Sequence, residues 1–218
     1  MTMRSTGLRW LAAPLLCLAA AIAAAQPAPR QLLPVDEAAS QPAFFAFRAR
    51  LAAVVARRDT AALLTMVDKE VRLGFGGEAG HRDLQKTWQP NARHSRLWET
   101  LATLLALGGA FDGADHFEAP YVFARWPKDA DAYKQLAVIG HQVRLRAAPS
   151  TEAAVSAAVD FALLERAGPD AGGWTPVIAP GGTKAYVARA LVRSPLEHRL
   201  VFGKVDGRWQ VTAFVAGD

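Results

Sequence analysis

The five histidines, His81, His94, His116, His141 and His198, are the first residues to test for chemistry, because imidazole both ligates metals and moves protons near neutral pH. None stands in a His-x-x-x-His or His-Glu-x-x-His spacing, the arrangement that brings two rings to one face of a helix around a metal. His81-Arg82-Asp83 and Asp112-Gly113-Ala114-Asp115-His116-Phe117-Glu118 gather ligand types locally. The second lacks the alternating acids and distant Glu of a calcium loop, so a solvated connection is expected. Gly74-Phe75-Gly76-Gly77-Glu78-Ala79-Gly80 has the glycines to wrap a phosphate. No Gly-Lys-Ser/Thr follows it, and Glu78 puts negative charge where the anion would sit, so a sharp turn is expected.

Nucleophile chemistry finds no better footing. There is no Gly-x-Ser-x-Gly elbow and no Ser-x-x-Lys. Glu70, Glu78, Asp112 and Glu118 are the conceivable members of a glycosidase acid pair, but such partners meet only in three dimensions and spacing does not reveal them. Arg93-His94-Ser95-Arg96 is a short basic stretch with a cap residue in it, which fits a helix start and not a nucleic-acid site. No catalytic residue, metal site or cofactor is expected, and the chain is read as non-enzymatic. The alternative is an enzyme whose site lies around residues 74–94 and gathers Glu78, His81, Asp83 and His116.

Binding is served best by three residues of the second half, Arg144, Trp174 and Tyr186. Their rings, exposed on strands beside an arginine, could stack on a sugar or a peptide stem while the guanidinium pairs with a carboxylate. The same rings could instead fill a small β core. Trp209 is assigned to packing.

The elements that must hold these residues change character near residue 130. Before it, Phe44, Phe47, Leu51, Val54 and Val55 recur at three- and four-residue spacing and predict an amphipathic helix, with Arg48, Arg50, Arg57 and Arg58 mostly on its other side. Asp59 or Thr60 caps a second helix to about Val67, and Ser95 opens a third that stops at Gly108-Gly109. Residues 71–75 are expected as a short strand, 82–88 as a helical turn or two, and 119–124 as a strand. After it come short apolar runs at 136–139, 143–145, 159–164, 174–178, 184–188, 200–205 and 209–215, the rhythm of a small barrel or sandwich. Asp206-Gly207 predicts a hairpin in which Leu200, Phe202 and Lys204 share a face with Trp209, Val211, Ala213 and Val215.

Composition bounds the rest. The chain has 218 residues, 51% of them hydrophobic, with a formal charge of +5 and one cysteine. Arg4 and Arg9 precede the apolar residues 11–25, which end in Ala23-Ala24-Ala25, the pattern of a cleaved secretory signal too short to span a bilayer. Cleavage there removes Cys17 and two arginines but no acid, so the remaining 193 residues carry +3. That is an ordinary charge for solubility, and it argues for no nucleic-acid partner. A soluble protein of an extracytoplasmic space, periplasmic or secreted, with no stable membrane insertion after cleavage, is expected.

Val143-Arg144-Leu145-Arg146-Ala147-Ala148-Pro149-Ser150 resembles the opening strand and turn of bacterial SH3-like domains. Residues 159–165, the strand Trp174-Thr175-Pro176-Val177, the turn Gly181-Gly182 and the pair Tyr186-Val187 follow in the family's order, so residues 136–193 are similar to one such domain. Thr183-Lys184-Ala185 stands where the family has a glycine before the aromatic. The resemblance implies an envelope module that binds a cell-wall peptide or glycan or an envelope protein, sometimes attached to a cysteine peptidoglycan hydrolase; the mature chain has no cysteine for that reaction. The expected fold is therefore α+β: a signal at 1–25, a linker at 26–42, a mainly helical region at 43–130, and at 131–218 a bacterial SH3-like β-barrel with a C-terminal hairpin. The function expected is that of an exported binding protein, with an envelope assembly factor as a further alternative.

Overall fold

A computed structural model of the protein describes residues 29–217. The expected export signal and the first residues of the linker lie outside the described residues. Two helices open the fold: α1 (Pro42–Arg57) starts on a proline whose missing N–H no helix bond would have used, and α2 (Thr60–Met66) is capped by Asp59, whose Oδ1 accepts from Ala62 N at 3.0 Å. The chain then runs without a break into strand β1 (Val67–Arg72), earlier than the expected 71–75. Helices α3 (Gly80–Trp88) and α4 (Leu97–Ala106) follow, and Gly108, at φ +65°, supplies the left-handed residue that ends α4. Strands β2 (Ala110–Phe111) and β3 (His116–Ala119) form a hairpin beside them. Residues 121–124, expected as strand, are a single helical turn, α5 (Tyr121–Ala124). Aromatic and β-branched residues there are buried by tertiary contacts, and that burial, not strand pairing, explains their apolar character.

Seven short strands come next: β4 (Gln135–Val138), β5 (Val143–Arg146), β6 (Val155–Val159), β7 (Leu163–Glu165), β8 (Trp174–Ile178), β9 (Lys184–Ala188) and β10 (Val192–Arg193). The single strand expected over 159–164 is split, because Phe161 turns the chain at φ +48° between β6 and β7. These strands do not close into the barrel that was expected. They form two open sheets, β10-β4-β7 and β6-β5-β9-β8, which face each other across Leu136, Val138, Val143, Leu145, Val177 and Val187. Just after β7, Arg166 bridges Val177 of β8, and Ala167 N donates to Pro176 O at 2.8 Å beside it.

The last two strands, β11 (Arg199–Val205) and β12 (Arg208–Val215), return to the first half. The five-stranded sheet runs β1-β12-β11-β3-β2, with β1 and β12 parallel and the other pairs antiparallel. The expected grouping of this hairpin with the β segment from residue 131 is therefore not the grouping the strands adopt. Helices α1 to α4 cover one face of this sheet, and Phe44 sits at the centre of the core, 4.4 Å from Phe117 and 4.8 Å from Trp209 between ring centroids. Burial of such a ring contributes about 2–3 kcal/mol, which makes the helix–hairpin contact a principal source of stability.

Residues 30–41 of the expected linker are held in place by backbone pairing and by α1. Leu32 N donates to Phe161 O at 2.8 Å and Leu163 N to Arg30 O at 2.7 Å, so residues 30–32 lie along β7. Glu37 N then donates to Gly109 O at 3.0 Å and Gly109 N to Val35 O at 3.0 Å. Pro34 suits this extended pairing, the strap ends in a 3-10 turn at Ala38–Ser40, and buried Leu32 and Ala38 anchor it at each end.

Candidate functional site

Strand β9 lies between β5 and β8, and its register decides which expected binding residues meet. Trp174 pairs with Ala188, and Arg146 pairs with Tyr186. In an antiparallel ladder the second pair places Arg144 opposite Ala188, so Arg144, Ala188 and Trp174 form one row across the sheet. Residues two apart share a face, and the core takes Val143, Leu145, Ala185 and Val187, which leaves this row on the outer face. Ala188 is small, and between the longer side chains it leaves a groove of about 330 Å³. Arg146, His141 and Leu191 complete its walls.

Among the described residues, Arg144 is the one cation of the groove with neither an ion pair nor a hydrogen bond. It is exposed, while Arg146 donates to Ala153 O at 2.7 Å and is held against the loop after β5. Trp174 is half-buried and takes no part in the core between the two sheets. Tyr186 shares the outer face but belongs to the next row, does not line the groove, and has Lys184 Nζ 5.6 Å from its ring centroid. The structure thus brings Arg144 and Trp174 together and leaves Tyr186 beside them. Arg146 was missed from sequence although its signal was present, since Val143-Arg144-Leu145-Arg146 alternates and puts both arginines on one face.

A polar network holds the far side of β8. Asp170 accepts from Thr175 Oγ1 at 2.8 Å, from Arg166 Nη1 at 2.7 Å, and pairs with Arg189 Nε at 2.8 Å. Burial pushes its carboxyl up, but the Thr175 hydroxyl and the two guanidiniums outweigh that and hold it below the usual range. This ties the Trp174 strand to the turn after β9.

The residues expected for an alternative enzyme site are not gathered. His81 Nε2 lies 3.0 Å from Val67 O, and Asp83 Oδ2 accepts from Ala79 N at the start of α3, so both serve local structure. Glu78 folds back over its own glycine turn, where a Cβ on Gly74 would come within 2.6 Å of Glu78 Oε2. His116 stands on β3, opposite Gly203. Burial raises the carboxyl of Glu118, with Asp112 adding to the effect, but Glu118 does not line the Arg144–Trp174 groove. Among the described residues no three His, Cys, Asp or Glu cluster as a metal would need, and no helix is long and apolar enough to cross a membrane. No family model, curated protein or solved structure matches the chain.

Proposed function

We propose that the chain is an exported, non-enzymatic binding protein whose residues 131–193 act as a bacterial SH3-like module on a cell-wall peptide or glycan. The observation that carries this reading is the row Arg144, Ala188, Trp174, in which an unpaired guanidinium and a half-buried indole flank an open groove. A peptide carboxylate can take two parallel hydrogen bonds from Arg144 while a sugar or side chain stacks on Trp174. Two open sheets over one core are compatible with the SH3-like assignment, and residues 1–25 support export. Retention on purified peptidoglycan tests it. The wild type is expected to be retained, the pair Arg144→Ala and Trp174→Ala to lose about tenfold in affinity, and Tyr186→Ala to change it less. Equal retention of wild type and double variant, or retention of neither, overturns the reading.

A further inference from the structure

A second groove lies in the other half of the molecule, between α1, α2 and the tip of the β11–β12 hairpin, with a volume of about 700 Å³. On α1, Ala43, Phe47, Arg50, Val54 and Arg57 follow one another at alternating four- and three-residue spacing and so occupy one face. Phe47 and Val54 are buried at the floor, where Trp209 joins them from β12. Arg50, Arg57 and Arg208 are exposed around it.

Three facts distinguish this groove from an incidental dent. First, its lining holds three arginines and no acid. Second, none of the three makes an ion pair or hydrogen bond among the described residues, although Arg48, Arg125, Arg166, Arg189 and Arg193 all do. Uncompensated like charges repel, and an anion seated among them would relieve that repulsion. Third, the indole Nε1 of Trp209, a residue 7% exposed, is buried without a hydrogen-bond acceptor. A buried N–H without a partner is uncommon, and the indole that carries it lines the groove, so its resonance reports on what the groove holds.

We infer that this groove binds a small amphipathic anion: an apolar body lying on Phe47, Val54 and Trp209, ended by a carboxylate or phosphate held by Arg50, Arg57 and Arg208. The volume falls in the range of small-molecule sites, about 300–1,000 Å³. Guanidiniums seven residues apart on a helix are about 10 Å apart along its axis, so they can hold the head group from two sides or two anionic groups of one molecule. The site is separate from the Arg144–Trp174 groove and does not depend on it.

Calorimetry on the whole protein tests this with monomeric decyl phosphate, neutral decyl maltoside and inorganic phosphate, alongside the indole N–H resonance of Trp209, assigned with Trp209→Phe. Decyl phosphate is expected to bind and to shift that resonance, with the neutral tail and the bare head each weaker by about tenfold. Arg50→Gln with Arg57→Gln should weaken decyl phosphate by about tenfold while leaving the thermal midpoint unchanged, because both side chains are exposed. Arg144→Ala with Trp174→Ala should leave it unaffected. Equal affinity for charged and neutral tails, an unmoved Trp209 resonance, or full binding by the arginine variant overturns the inference. Binding to anionic vesicles without binding to monomeric decyl phosphate overturns it in favour of a membrane surface.

Discussion

Tyr121 is 1% exposed, packs with Leu32, Val122, Ala137 and Leu163, and leaves its hydroxyl without a hydrogen-bond partner among the described residues. A buried hydroxyl that gives up water for nothing costs about 1–3 kcal/mol, so Tyr121→Phe should raise stability by about 1 kcal/mol in urea unfolding. The same burial pushes the Tyr121 pKa up to about 12. In the unfolded chain the phenol ionises near 10, so between these values the unfolded state loses its proton first and stability falls as pH rises. Tyr121→Phe should lose less stability than wild type between pH 9 and about 11; identical slopes would show that the ring is not buried as described. Nothing in the local sequence marks Tyr121 as unsatisfied, because the residues that enclose it come from four separate stretches of chain. The outward face of Arg144 follows from its neighbours alone, since Val143-Arg144-Leu145-Arg146 alternates; Trp174 opens a strand whose next three residues are all buried, so no local alternation fixes its face.

Within elements the sequence read well where the determinant was local. The Asp59 cap, the periodic face of α1 and the Asp206-Gly207 turn, both of whose residues have positive φ, all follow from neighbours a few positions away. The β11–β12 hairpin shows where that ends. Its register holds as expected from Val205–Arg208 through Phe202–Val211, and then Thr212 is inserted as a bulge, so Val201 pairs with Ala213 and Leu200 with Phe214. Ala213 and Val215, expected beside Trp209, turn to a small cluster with Val201, and Phe214 takes the core face, stacked 4.6 Å from Trp88. His198, just before β11, is enclosed by the same aromatics, its centroid 5.0 Å from Trp88. Burial, helped by Arg193 and opposed by Glu197, lowers its pKa, so the unfolded chain takes up a proton near pH 6.5 and the folded protein only below that. Stability therefore declines as pH falls through 6.5 toward the folded value. His198→Gln should show a smaller drop in urea midpoint between pH 7 and pH 5 than wild type, and equal drops would refute the burial argument.

At the scale of the whole molecule the chain is nested: the sheet begun by β1 to β3 is completed by β11 and β12 only after residues 131–193 have made two sheets of their own. No periodicity announces this, because the pairing of 116–119 with 200–203 is specified by complementary apolar faces, not by adjacent residues. The composition change near residue 130 falls just before the strands that pair among themselves until β11 returns to the first sheet. Two shortened chains separate the possibilities. Residues 29–130 alone keep the helices but lose Leu200, Phe202, Trp209, Val211 and Phe214, which form the floor of the core, and this fragment should show no cooperative unfolding transition. A chain in which 131–193 is replaced by a short Gly-Ser linker keeps that floor. Ala119 lies opposite Leu200 on the neighbouring strand, about 5 Å away, so the chain leaves and re-enters the sheet at adjacent points, and a flexible connection between them costs chiefly loop entropy. Loss of Ala137 and Leu163 uncovers Leu32, Tyr121 and Val122, so this chain should be less stable than the full protein yet still unfold cooperatively. A cooperative transition in 29–130 and none in the bridged chain would reverse the nesting, because the hairpin would then owe its place to the inserted sheets.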